Sequence, residues 1–576
     1  MHYARILLLE DEPDWVNTLT HLLEGSGAVV FSAPTPSAAE SILDQRYINV
    51  ALVDVSMQLG DPRNSEGMAF LETIHNKGLR EIVQPIIVSG YPDVARMRRA
   101  FHDYHVVDFL EKAPFRPDLV REAVREALRR IDLCGPLEVE IEGNRSLSDL
   151  LQQFHWSERE DLGELEVEFR DMLRRLFPGA DHLFIHPMQA GQSGAGVLEV
   201  EPTYPDGVGA ACIVKFGKKD KIQRESSNYE EFVKNFAGAQ SSTQLSAVCQ
   251  RRMGAIRYQL VGTAMDRVTD FGDYYAQHTV PEITEGLLNN LLHVTCGLWY
   301  DNRKQHRRRT DLISLYSEAL SIEWDKVEAA IAAVEGKRIR NGQIEFIGLS
   351  GIYTEPLAWI KSKEHQYYVN AWHSTTHGDL NQHNILVAED GQCWLIDFYR
   401  TGPGHILRDV VELEATIKLS LTPLPDLEVY HQLERALLLA TDSDKVALPD
   451  PSDPLYKVLA VIVYLRRFAE SLSGRNRDLR EYNVALLMQA LKMLSLDFLR
   501  ADHEKILLSA AMLCSWLENG GKARMPASGA TSTAPSGSPA TPGPTQGASS
   551  FPSPQADNDD LPLTEEDMAT LRSLFD

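Results

Sequence analysis

Over residues 4 to 131, short apolar runs alternate with stretches whose apolar positions recur at helical spacing. "ARILLLE", "NVALVDV", "PIIVSG" and "HVVDFLE" read as strands, and "VNTLTHLLEG" and "PDLVREAVREALRR" as helices. Such alternation predicts a doubly wound parallel sheet with helices on both faces. Residues 132–180 predict a helical connector, with apolar spacing at Leu147, Leu150, Leu151 and Phe154, then at Phe169, Met172 and Leu176. Two strand-like runs follow in "HLFIHPMQAGQSGAGVLEVEPTY", then the strand "AACIVKFG" and the helix "KIQRESSNYEEFVKNF". Further on, "NILVAEDGQCWLIDF" predicts a hairpin turned at Asp390-Gly391. Long apolar helices such as "LYKVLAVIVYLRRFAESL" complete a mostly helical region ending near residue 519.

Composition narrows the possibilities. A chain of 576 residues is too long for one core, so several domains are expected. Lys and Arg total 57 against 82 Asp and Glu, a formal charge of -25, which argues against nucleic-acid binding and against an anionic membrane surface. Six scattered cysteines contain no Cys-x-x-Cys pair and indicate neither a disulfide framework nor a zinc site. No apolar run approaches the roughly 18 residues that span a bilayer, so a cytoplasmic location without membrane insertion is expected.

In a parallel sheet, ligands sit beyond the carboxyl ends of the strands. Here those ends carry Glu10 and Asp11, Asp54, Ser89 and Lys112, which are expected to converge on one rim. Three acids on one rim repel one another unless a divalent cation screens them, and Mg²⁺ suits oxygen ligands. Lys112 and Ser89 can then grip a phosphoryl group on Asp54. A flavodoxin-like domain with solvated rim acids is the competing reading for any one of these residues.

Together these residues resemble the receiver domain of two-component response regulators. The resemblance implies that Asp54 is the phosphoacceptor, fed by a histidine kinase. It implies that Glu10, Asp11, Asp54 and the Ser56 carbonyl hold Mg²⁺, and that Ser89, Lys112 and the aromatic Phe109 form the switch. The family's Lys-Pro pair reads Lys112-Ala113-Pro114 here, and the "QLGDPRNSEG" loop after Asp54 is longer than usual.

The second half carries a different constellation. In "AGQSGAGV", small residues allow backbone amides to approach phosphates closely. Lys215 lies within an apolar strand, where a lysine is at an edge, snorkelling or paired. Glu225 is the expected partner, with Glu230 and Glu231 solvated. Phosphoryl transfer needs a carboxylate near the attacking hydroxyl, which Asp379 in "HGDLNQHN" can supply, and metal ligands, which Asn384 and Asp397 can supply. A surface hairpin with incidental acids is the plain alternative.

This part resembles the aminoglycoside and choline phosphotransferase branch of the protein-kinase-like fold, from about residue 181 to 519. The resemblance implies a bilobal domain divided near residue 262, binding ATP and Mg²⁺. It implies a phosphate loop containing Gly191, Ser193, Gly194 and Gly196, with Lys215 pairing phosphates beside Glu225. Asp379 would be the catalytic base, and Asn384 and Asp397 the metal ligands. Asp397 is followed by Phe398-Tyr399, with little room for an activation segment, which favours a small-molecule or specialised acceptor over a regulated protein kinase. Asp409 reads as a structural acid, and residues 263–370 as a substrate-facing insertion. Fusion of a receiver to such a domain also resembles the ternary-complex-associated components of bacterial conflict systems.

Residues 520–562 are rich in Pro, Ser, Gly, Ala and Thr and read as a disordered linker. Residues 563–576 carry an N-cap at Thr564 and an apolar stripe through Met568, Leu571, Leu574 and Phe575. They read as a short amphipathic helix for a protein partner. Two functions compete for the whole chain: a receiver-regulated ATP-dependent phosphotransferase acting on an alcohol group, and a scaffold that binds nucleotide without transferring phosphate.

Overall fold

The computed structural model describes residues 4–57, 65–90, 93–133, 135–154, 156, 161–188, 195–235, 243–259, 268–306, 308–363, 366–424, 426–440, 443–472 and 479–520. The linker and the C-terminal amphipathic segment lie outside them, as do Gly191, Ser193, Gly194 and most of the loop after Asp54.

The first part runs β1 (Arg5–Leu9), α1 (Pro13–Glu24), β2 (Val29–Ala33), α2 (Pro36–Gln45), β3 (Val50–Val53), α3 (Glu66–Asn76), β4 (Gln84–Ser89), α4 (Val94–Asp103), β5 (Phe109–Glu111) and α5 (Pro117–Arg130). Its five strands are all parallel in the order β2-β1-β3-β4-β5, fitting a receiver domain. β1, β3 and β4 are apolar on both faces because helices cover both sides, and their residues divide between two cores. β2 lies at the edge and is partly exposed, so its mixed pattern did not stand out as a strand.

The stretch 132–180 is not wholly helical. β6 (Glu138–Ile141) precedes α6 (Leu147–Gln153) and α7 (Leu162–Leu176), and pairs in parallel with β7 (His182–Pro187). The period-two alternation of "EVEI" carries that strand, which makes the segment part of the next sheet. That sheet continues with β8 (Gly196–Tyr204), β9 (Gly207–Val208), β10 (Cys212–Lys218), β11 (Thr243–Cys249) and β12 (Met253–Gln259), in the order β11-β12-β10-β8-β7-β6. α7 buries Leu165, Phe169, Met172, Leu173 and Leu176 against it, a helical stripe worth roughly 1.5–3 kcal/mol per side chain. α8 (Lys219–Asn228) continues into a π-helical turn, Tyr229–Val233.

The remaining chain is mainly helical. The stretch expected to be an insertion shares its core: Tyr316, Val327, Ile331 and Trp359 belong to the same buried cluster as Val484 and Leu507. At its centre lies the helix Arg408–Thr416, every residue of which is buried. Its Glu414 is held by Arg466 through two hydrogen bonds of 2.7 and 2.8 Å and by the Tyr482 hydroxyl at 2.6 Å. Ionic groups this deep are tolerated only when paired, and the pairing fixes the helix that carries Asp409 and Glu412.

The receiver packs on the second part through its amino-terminal strand rim. Glu164 of α7 accepts from Arg5 at 2.6 Å, from Arg46 at 3.1 Å and from the Tyr47 backbone N–H at 2.7 Å. Asn49 reaches Asp171 of α7 at 3.4 Å. Arg5 starts β1 and Asn49 precedes β3, so these contacts stand roughly 15 Å, the length of a short strand, from the carboxyl rim bearing Asp54.

Candidate functional site

Two sites emerge. At the receiver's carboxyl rim, Lys112 donates to Asp54 Oδ2 at 2.6 Å and to Glu10 Oε1 at 2.9 Å, with Glu12 at 3.6 Å. Burial works against the Lys112 ammonium, but Asp54 and Glu10 outweigh it and hold its pKa above the ordinary lysine value. Burial also pushes the Glu10 carboxyl up to about 7, with Lys112 opposing. Ser56 donates its backbone N–H to Asp54 Oδ1 at 3.0 Å. Ser89 is buried at the end of β4, where its carbonyl accepts from the Lys112 N–H at 2.9 Å, and Phe109 pairs with Ile87 at the start of β5. The Ala113-Pro114 peptide bond is cis.

A divalent cation fits this rim. Asp11 Oδ1 is buried without a hydrogen-bond partner, and Glu10, Glu12 and Asp54 each present an oxygen within 4.8 Å of the others. Glu12 is an addition that sequence reasoning passed over. Its place two residues past the strand end, opposite Lys112, was the available signal.

The second site forms where β10, α8 and the 376–398 segment meet. Lys215 of β10 reaches Glu225 Oε2 of α8 at 2.5 Å and Asp397 Oδ1 at 2.7 Å. Glu225 is thus the carboxylate of α8 that Lys215 meets, while Glu230 and Glu231 are exposed. Tyr258 of β12 donates to the second Glu225 oxygen at 3.0 Å. Burial raises the Glu225 pKa, and the Asp397 charge adds to it, against Lys215. For Asp397, burial is overcome by Lys215, and the pKa falls below the ordinary carboxylate value. Asp397 sits at φ +70°, a left-handed conformation costing a non-glycine residue roughly 1–2 kcal/mol.

The hairpin is as expected: strand Ile385–Ala388 pairs antiparallel with Cys393–Leu395, and Ile396 N–H donates to the Asn384 carbonyl at 3.1 Å. Asn384 and Asp397 therefore stand at its open end. The Asn384 amide donates to the Asp379 carbonyl at 2.7 Å. Asp409 accepts from His377 N–H and Gly378 N–H, each at 2.9 Å, and from the Tyr300 hydroxyl at 3.0 Å, the structural role expected of it. Glu412, one helical turn on, accepts from Leu380 N–H at 3.0 Å. Burial first, then Asp379, raises its pKa well above the ordinary value, with Arg408 opposing. Its helical spacing from Asp409 was legible but unread. Gly196 has a packing reason: a Cβ there would stand 2.1 Å from the Phe216 ring.

Residues 181–342 and 324–495 match the family described as ternary complex associated domain 9, together more than half of the chain. The chain belongs to the ternary complex associated domain 9 family. Residues 6–125 match the response regulator receiver domain family, which gives the first unit its identity. That domain places this family member in two-component-type signalling, with a phosphodonor as partner. Among solved structures, the chain is similar to a CheY-like receiver domain protein from Methanospirillum hungatei JF-1, at 22% identity over 22% of this chain and 95% of that one, with a TM-score of 0.20. It is also similar to a receiver domain protein from Clostridium thermocellum, at 25% identity over 22% and 95% of the two chains, with a TM-score of 0.20. No curated protein matches. Among the described residues, no helix is long and apolar enough to cross a membrane.

Proposed function

We propose that residues 181–519 form a bilobal, protein-kinase-like, ATP-dependent phosphotransferase acting on an alcohol group, regulated by phosphorylation of Asp54. The observation that carries this reading is the three-way contact at Lys215, whose ammonium meets Glu225 at 2.5 Å and Asp397 at 2.7 Å. An ammonium has three donors, so one remains to meet a phosphate oxygen. Asp379, anchored through its carbonyl by Asn384, is the base that takes the acceptor hydroxyl's proton. Asn384 and Asp397 would hold Mg²⁺, which neutralises phosphate charge when bound. Gly191, Ser193 and Gly194 stand in this reading as the phosphate loop.

At the receiver, a histidine kinase supplies the phosphoryl group to Asp54. Glu10, Asp11, Asp54 and the Ser56 carbonyl would hold Mg²⁺ there, and Lys112 and Ser89 respond to the modified Asp54.

A second reading, a scaffold that binds nucleotide without transferring phosphate, draws on the same contact: Lys215 occupies the Asp397 carboxylate that would ligate metal. Terminally labelled ATP incubated with the full chain and a bacterial lysate, then fractionated into protein and small molecules, separates the two. Transfer that disappears with Asp379→Asn while nucleotide still binds supports the enzyme. Nucleotide binding without transfer by the parent supports the scaffold, and the absence of both overturns each.

A further inference from the structure

The turn joining β11 to β12, residues 250–253, touches three bodies at once. Toward the receiver, Arg251 donates to the Arg46 carbonyl at 3.0 Å and to the Asp44 carbonyl, both at the end of α2. Toward α7, Arg252 and Met253 donate their backbone N–H groups to Glu168 Oε1 at 2.6 and 3.0 Å. Toward α8, the Arg252 carbonyl accepts from Lys219 N–H, the first residue of that helix, at 3.0 Å. Glu168 is fully buried and its other oxygen has no hydrogen-bond partner, so the hydrogen bonds of its carboxylate go to this turn.

α8 also packs closely against the strand that leaves the turn. A Cβ on Gly254, the residue after it, would stand 2.9 Å from the Ile222 side chain, so helix and strand already touch at the backbone of β12. Ile222 lies about one helical turn before Glu225, the partner of Lys215. α7 meanwhile carries Glu164 and Asp171, which hold the receiver at Arg5, Tyr47 and Asn49. Displacing the receiver's amino-terminal rim therefore pulls on the turn by two routes, directly through Arg251 and through α7 by way of Glu168. Both routes end at α8.

We infer that the 250–253 turn is the relay through which the receiver sets the Lys215–Glu225 pair, with Glu168 and Arg251 as positioning residues. The role assigned to that pair rests on the phosphotransferase reading; the mechanical link does not. Hydrogen exchange of residues 219–228 in the full chain, with and without acetyl phosphate and Mg²⁺, tests it, with intact mass reporting receiver loading. In the parent, loading changes exchange in α8. In Arg251→Ala the change is reduced, in Glu168→Leu it is lost, and in Glu168→Gln, whose amide oxygen still accepts from the turn, it is restored. A purely structural role for Glu168 would lower stability and leave the loading-dependent difference intact. An unchanged α8 in a loaded parent, or an undiminished response in both Arg251→Ala and Glu168→Leu, overturns the relay. Nucleotide binding measured on the same samples reports separately on the phosphotransferase reading, since its absence leaves the exchange result standing.

Discussion

Gly378 donates its backbone N–H to Asp409 Oδ1 at 2.9 Å while holding a φ of +78°, so one buried carboxylate fixes the residue before Asp379 in a conformation that favours glycine. The second Asp409 oxygen holds His377 N–H and the Tyr300 hydroxyl. Replacing this acid with Ala strands three buried donors, each costing roughly 1–3 kcal/mol. Asp409→Ala should therefore lose several kcal/mol in chemical unfolding, and Asp409→Asn, which keeps one acceptor oxygen, distinctly less. Equal losses in the two variants would mean that the carboxylate is not the anchor.

Gly378→Ala tests the same turn from the other side. A Cβ there would meet the Arg400 carbonyl at 2.5 Å, besides the backbone strain of roughly 1 kcal/mol for a side chain at this φ. The turn must shift, and Asp379 shifts with it. Phosphate transfer should fall far more than nucleotide affinity, because Lys215 and Asp397 lie on other elements. A variant with parental transfer would show that Asp379 does not need this turn.

Much of this architecture was legible in the sequence, and the exceptions have physical causes. The rim residues of the receiver and the 376–398 hairpin follow from spacing alone, because strand ends and a two-strand turn leave few alternatives. Lys215 with Glu225 was legible because pairing was one of the few ways to place a lysine in an apolar strand, and the next helix offered Glu225 on the side of its apolar stripe. β2 and β6 were not, since both are short edge strands, half-exposed and set among polar flanks. The carboxylates of α7 were invisible for another reason: Glu164, Glu168 and Asp171 look like the solvated face of an amphipathic helix. They are buried only because the receiver and the β11–β12 turn cover them from two sides. Tertiary covering leaves no periodic trace.

The receiver makes its own prediction. Lys112 at 2.6 Å and the Ser56 N–H at 3.0 Å both point at Asp54, whose carboxylate is 3% exposed. Acetyl phosphate with Mg²⁺ should add one phosphoryl group to the full chain, visible by intact mass, and Asp54→Asn should remove it. Omitting Mg²⁺ should suppress the adduct in the parent, because the rim acids then repel the incoming phosphate. An adduct that persists in Asp54→Asn would place the phosphoacceptor elsewhere.

The contact between receiver and α7 should depend on pH through Asp171. Burial pushes its carboxyl up from 3.8 to about 6, against the opposing pull of Arg175, Arg174 and the Asn49 amide. Between about pH 4 and 6 the folded chain keeps a proton that the unfolded chain has released, so this group's contribution falls as pH rises through that window. Above pH 6 the penalty is complete, of order 3 kcal/mol; below pH 4 both states are protonated and it vanishes. Asp171→Asn carries no such penalty. Its amide oxygen can still accept from Asn49, and what it loses is the charge facing Arg174 at 3.7 Å. The stability difference between variant and parent should therefore move in favour of the variant by about 2 kcal/mol from pH 4.5 to pH 7, since part of the penalty is already present at pH 4.5. Urea unfolding of both full chains at the two pH values measures it, with the difference taken between matched transitions because the chain has more than one cooperative part. A difference that stays constant with pH would mean that Asp171 is ionised throughout, held by the arginines around it.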